Sequence, residues 1–324
     1  MSKHLTASKF MLFLIIWFIA VQLVMSVVLV SLENSRGLDI DAVVASPWYI
    51  VAIQLAALLL PLFIWIAIKK DSFKANMPNW SLGGKNIAII VALSFLLQPA
   101  MMLVSGISSL FFTNYVSEMI YSFMEYPLWL ILLATAVTPA VCEELVFRGY
   151  IQTQHKDRTI KQAAILNGLF FAIIHLNMQQ FAYAFVMGVI FVYMVHYTRS
   201  IWAGIFPHFI VNATQGILGR WAFSTDFFDE APYLYAEELP LDGVNSDLAG
   251  VIVLGVIVLL LSPVIYMLFR SFVRHNRWRV ESEHVNQPTD DTSPLTDTRP
   301  AFFDRFTVAV IAIFIGFVVL ISFI

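Results

Sequence analysis

Charge is scarce in this chain. Asp, Glu, Lys and Arg make up 13% of its 324 residues against 59% hydrophobic, where a soluble domain carries roughly 25% charged residues. That balance excludes a soluble fold, and the chain reads as an integral membrane protein. Cysteine is almost absent: Cys142 stands alone, so no intramolecular disulfide can form and cysteine usage says nothing about compartment. A net charge of -3 and the lack of any basic cluster leave no nucleic-acid footprint. There is no internal repeat of about 20 to 50 residues and no large soluble segment. Any functional site must therefore lie within the membrane region.

What is present is apolar sequence in blocks. Nine stretches can each cross a bilayer, since about 20 residues span its ~30 Å hydrocarbon core. They run from Phe10 to Leu32, Pro47 to Ile68, Asn86 to Phe112, Leu128 to Gln154, Gln162 to Leu176, Phe181 to Tyr197, Ile201 to Leu218, Leu248 to Phe269 and Phe306 to Phe323. The first lacks a small-residue cleavage site and follows Lys3 and Lys9, which marks a retained anchor, not a cleaved signal peptide. Backbone exposed to lipid must satisfy its own hydrogen bonds, and the stretches are twice the length of barrel strands, so the expected fold is an all-α polytopic bundle of about nine helices.

Loop charge gives an orientation. With a cytoplasmic N-terminus, all but three of the 19 Lys and Arg fall in inner segments, the exceptions being Arg36 and Arg220 outside and Arg148 within a helix. Such asymmetry is what the positive-inside rule requires. The group Lys69, Lys70 and Lys74 is then a topology signal, and the acidic loop Phe223 to Asp247 lies outside. Residues 1–269 form the bundle. From Arg270 to Arg305 the composition turns to Ser, Thr, Asp and Pro, as expected of a flexible cytoplasmic linker. The last helix, residues 306–324, is thus tethered loosely and ends outside.

The polar residues inside the helices form a small set: Glu143, Glu144 and Arg148 in the fourth stretch, Asn167 and His175 in the fifth, His208 and Asn212 in the seventh. A charge at the centre of a membrane helix costs ~2.5 to 3.5 kcal/mol, so a counter-ion, a wet cavity or chemistry must offset it. Glu144 and Arg148 are four apart and can pair on one helix face. His208 and Asn212 are also four apart, and Phe171 sits one turn before His175. Depth restricts the arrangement further. If the fourth helix ended at Arg148, Glu143 would stand only ~8 Å above the inner surface and His175 ~21 Å, too far apart to meet. If it continues to Gln154, Glu143 rises to ~17 Å and His208 lies at ~14 Å. Pro139 and Pro207 lack amide hydrogens and are placed to bend their helices around a cavity.

Glu143-Glu144-Leu-Val-Phe-Arg148 has the form EExxxR, Phe171-Ala-Ile-Ile-His175 the form FxxxH, and His208-Phe-Ile-Val-Asn212 the form HxxxN. Three motifs in this order on successive helices resemble the CAAX protease and bacteriocin-processing family of intramembrane proteases, similar to type II CAAX prenyl endopeptidases. The resemblance covers about residues 128–218, the expected catalytic core; the last helix looks like an addition to it. It implies peptide-bond hydrolysis by activated water. Glu143 would be the general base, since a carboxylate held out of bulk water binds a proton more tightly, with His175 orienting or sharing the same water. Glu144 and Arg148 would be the structural pair. His208 and Asn212 would stabilise the oxyanion, where preorganised donors are worth ~3 to 4 kcal/mol each.

Other chemistries compete for these residues. Glu143, His175 and His208 could form a zinc triad, although HExxH is absent and asparagine is an uncommon zinc ligand; the expectation is no cofactor. A Cys142 nucleophile is disfavoured, because adjacent helix residues point ~100° apart. Glu143, Arg148 and His175 could serve a proton-coupled transporter, but that class carries inverted repeats. The motifs could also be interhelical glue in a non-catalytic scaffold. The partners implied are the lipid bilayer and a peptide or membrane-anchored protein, lipidated or helical, with no nucleic acid.

Overall fold

The computed structural model describes residues 3–123, 125–155, 157–224, 246–286 and 301–321. Over its described residues, each of the nine apolar stretches lies mostly on a helix: α1 Lys3–Arg36, α2 Pro47–Lys69, α3 Gly84–Ser109, α4 Leu128–Gln154, α5 Ile160–Ile173, α6 Met178–Thr198, α7 Trp202–Ser224, α8 Ser246–Asn286 and α9 Arg305–Ile321. Among the described residues the only β-type pairing is an isolated bridge between Asn79 and Ser200. The protein is an all-α polytopic membrane bundle. Six of its helices, α1, α2, α3, α4, α6 and α8, are long and apolar enough to cross a bilayer by length and composition; α5 and α9 are apolar but shorter.

Two helices carry wide π turns ahead of a proline. In α4 the segment Leu133–Val137 precedes Pro139, and in α2 Leu55–Leu59 precedes Pro61. Proline has no amide hydrogen and its ring crowds the carbonyl four residues earlier, so a widened turn relieves the clash and leaves carbonyls to be satisfied from elsewhere. The Thr138 hydroxyl donates to Leu133 O at 2.7 Å, and the Trp17 indole donates to Ala56 O at 2.9 Å. A second π segment, Leu145–Ile151, carries α4 onward past Arg148 and Gly149. The helix thus continues to Gln154, as the depth argument requires.

One end of the bundle is stitched together by polar contacts. Arg279 on α8 donates to Thr198 O at 2.7 Å and Ser81 O at 2.9 Å. Asn86 and Asn276 exchange amide hydrogen bonds of 2.9 and 2.7 Å, fully enclosed between α3 and α8. That pair corrects the expected linker. Residues 270–286 continue α8 as helix, because Phe272 and Asn276 bury against the bundle; residues 287–300 lie outside the described residues, as does the acidic loop over 225–245.

The last helix also differs from expectation. Ser8 on α1 donates to Asp304 at 2.6 Å and lies 3.1 Å from the Thr307 hydroxyl, which sets α9 parallel to α1. Arg158 donates to Ala301 O and Phe302 O, and Phe314 stacks on Phe181 of α6 with centroids 5.3 Å apart. A helix held at both levels is packed, not loosely tethered.

Candidate active site

The centre of the site is built on α4. Arg148 Nη1 donates to Glu144 Oε1 at 2.8 Å, and both side chains are 0% exposed. A guanidinium so enclosed needs more than one partner. Its Nη2 donates to Gly188 O on α6 at 3.2 Å, and its carbon sits 4.4 Å over the Phe171 ring and 5.4 Å over Phe191, within cation–π range.

Glu144 has a second partner that the motif does not spell out. His208 Nδ1 lies 2.9 Å from Glu144 Oε1, and an ionised carboxylate only accepts, so Nδ1 carries the hydrogen. This fixes the imidazole with Nε2 turned toward Glu143, whose Oε2 is 3.9 Å away. That separation is too long for a direct hydrogen bond and suits a bridging water. Glu143 Oε2 is buried and has no hydrogen-bond partner.

His175 arrives differently from expectation. α5 ends at Ile173, and His175 stands on the turn that follows, where Leu176 takes a left-handed φ of 50°. The 14 residues of α5 rise ~21 Å, less than the ~30 Å hydrocarbon core. The turn therefore lies at membrane depth, where non-helical backbone is tolerated only if buried in protein or lining a cavity. Asn177 restarts the chain as α6 by accepting from the amides of Gln179 and Gln180. His175 Nδ1 is 2.7 Å from Phe171 O; the carbonyl can only accept, so Nε2 is the nitrogen left free. Phe171 meets both imidazoles edge-on, with centroids 5.1 Å from His175 and 5.8 Å from His208.

Glu143, His175, His208 and Asn212 all line one cavity of about 960 Å³. Asn212 is oriented by α4: its Nδ2 donates to Thr135 O at 3.1 Å, and Thr135 is the residue four before Pro139, whose carbonyl the proline cannot bond. The second amide hydrogen remains available. His208 faces Glu143 across a gap of 3.9 Å, and His175 lines the same cavity. Among the described residues, no three His, Cys, Asp or Glu side chains are grouped closely enough to hold a metal ion. Cys142 is buried and lies outside the cavity lining.

Three supporting residues escaped the motif reading. Asn167 Nδ2 donates to Phe147 O at 2.7 Å, closing a carbonyl of the wide turn. Gly188 packs so closely on Gly168 that a Cβ there would lie 2.7 Å from the Gly168 Cα. Gly204, one turn before His208, leaves room for Glu144, and a Cβ at that position would collide with Glu144 Oε2. The i, i+4 spacing of Gly204 and His208 was the available signal. Gly204→Ala is expected to lower stability by about 1 to 3 kcal/mol through overpacking, seen as a reduced Tm of detergent-solubilised protein. Gly255→Ala, where a Cβ meets nothing within 4 Å, should leave the Tm unchanged.

No curated protein and no solved structure matches the chain. Residues 125–214 match the family model Rce1-like, described as type II CAAX prenyl endopeptidase Rce1-like. The stretch resembling that family by its three motifs, from α4 into α7, is thus the stretch that the Rce1-like type II CAAX prenyl endopeptidase model matches.

Proposed function

We propose that the protein is an intramembrane endopeptidase that cleaves a membrane-anchored polypeptide with water activated by Glu143 and without a metal. The observation that carries this reading is the buried, unpartnered Glu143 Oε2 at the cavity wall, 3.9 Å from His208 Nε2. A water between these atoms gives its proton to Glu143, and the hydroxide so formed adds to the scissile carbonyl carbon. The negative charge on the carbonyl oxygen meets the second Asn212 N–H and, when both imidazole nitrogens carry hydrogen, His208 Nε2–H. As the C–N bond breaks, Glu143 returns its proton to the departing amine.

In this scheme Arg148 and Glu144 set the orientation of His208, and His175, with Nε2 free, orients the water or the substrate from its own wall. The metal-free form rests on the donor arrangement, in which Glu143 and His208 stand as a pair. The basic residues favour a cytoplasmic N-terminus, with α9 ending on the opposite side. A lateral route from the bilayer suits a lipidated or helical substrate.

The test is a comparison of membrane peptides from cells with the wild-type protein, with Glu143→Gln and with none. New chain ends should appear with the wild type alone, and a chelator such as 1,10-phenanthroline should leave them unchanged. Equal peptide profiles in the three samples refute the protease reading, while loss of products on chelation refutes its metal-free form.

A further inference from the structure

The cavity that holds Glu143 has a direction. On one side of the carboxylate it is closed, since the α4 residues from Val146 to Ile151 are all buried and Tyr150 is capped by Trp65 Nε1 at 3.0 Å. On the other side the lining passes Thr135 on α4 and Gly216 late in α7, then Tyr49 near the start of α2, and reaches Phe111, Phe112 and Thr113 just beyond α3. These last three are exposed. The mouth thus lies at the end of the bundle where α1 and α3 finish and α2 and α4 begin.

The two ends differ in charge. The closed end carries Lys69 and Lys70 at the finish of α2, Lys85 at the start of α3, Arg158 bonded to Ala301 and Phe302, and Arg279 bonded to Thr198 and Ser81. The mouth end carries Glu33, Asp39, Asp41 and Glu125, with Arg36 and Arg220 as its basic residues. Lys and Arg mark the cytoplasmic ends of membrane helices, so the mouth faces away from the cytoplasm.

We infer that the cavity is served from the non-cytoplasmic side, and that its substrate is a membrane-anchored polypeptide presenting an apolar, extended segment there. The substrate half rests on the protease reading; the direction does not. Glu143 follows the start of α4 by 15 residues, a depth of ~22 Å. An extended chain covers about 3.3 Å per residue, so a segment of about seven residues free of secondary structure reaches the carboxylate. Phe111, Phe112 and Tyr49 at the mouth favour apolar side chains over charged ones.

Cysteine labelling tests the direction. Cys142 is the sole cysteine and is buried, so the wild type serves as the blank. Thr113→Cys, with Tyr49→Cys as a second mouth variant, is treated in intact cells with a membrane-impermeant charged maleimide, beside Lys85→Cys at the closed end. The expected result is labelling of the mouth variants in intact cells and of Lys85→Cys only after permeabilisation, unchanged when Glu143→Gln is added. Any other pattern overturns the direction. If the expected pattern is found but no Glu143-dependent cleavage occurs, the protease reading and the substrate half fail while the direction stands.

Discussion

Glu143→Gln is expected to lower the rate of substrate cleavage by ~10²- to 10⁴-fold, the usual contribution of a positioned general base, while leaving the amount of folded protein unchanged. Glutamine keeps the shape of the side chain but cannot take the proton of an attacking water. The fold should tolerate the change, because Glu143 Oε2 holds no hydrogen bond that the amide would break. The measurement pairs quantitative mass spectrometry of the new chain ends with immunoblotting and a melting curve in detergent. A variant that cleaves as fast as the wild type removes Glu143 from the chemistry; one that fails to accumulate would favour a scaffold role for this carboxylate.

Arg148→Met should act in the opposite way, on the fold before the chemistry. Glu144 and Arg148 are both 0% exposed, so deleting the guanidinium leaves a carboxylate enclosed with His208 as its remaining partner. Breaking a buried pair in this manner costs about 3 to 5 kcal/mol, a large share of the ~5 to 15 kcal/mol that holds a typical domain folded. The expected outcome is a strongly reduced Tm and low abundance. Adding Glu144→Gln should recover much of the Tm, because the stranded charge is then gone, yet cleavage should stay low because His208 has lost the carboxylate that fixes its ring. A single variant that melts like the wild type would show that the pair carries no such energy. A double variant with full cleavage would show that Glu144 does not position His208.

These two experiments probe different layers of information in the chain. Helical spacing places Glu144 and Arg148 on one face, and the ion pair follows from a repeat of 3.6 residues. The apolar stretches were equally legible, since hydrocarbon leaves the backbone no partner but itself, and over the described residues each is mostly helix. The continuation of α4 to Gln154 was legible as the condition under which Glu143 comes level with the two histidines.

Contacts between helices were not legible in this way. The bond between Glu144 and His208 joins residues 64 positions apart, and its existence depends on how α4 and α7 are rotated about their axes. The same holds for Asn212 on the Thr135 carbonyl, for the Asn86 and Asn276 pair that extends α8 through a polar stretch, and for α9 against α1. The end of α5 at Ile173 was hidden too, because Ile174 and Leu176 are as apolar as the helix before them. By itself the sequence determined the solvent, the helical class and the motif residues, for these depend on local composition and period. Tertiary structure alone decided which carboxylate holds the imidazole and which is left free at the cavity, because close approach at Gly168, Gly188 and Gly204 sets the register between helices, and no periodicity along one helix encodes that register.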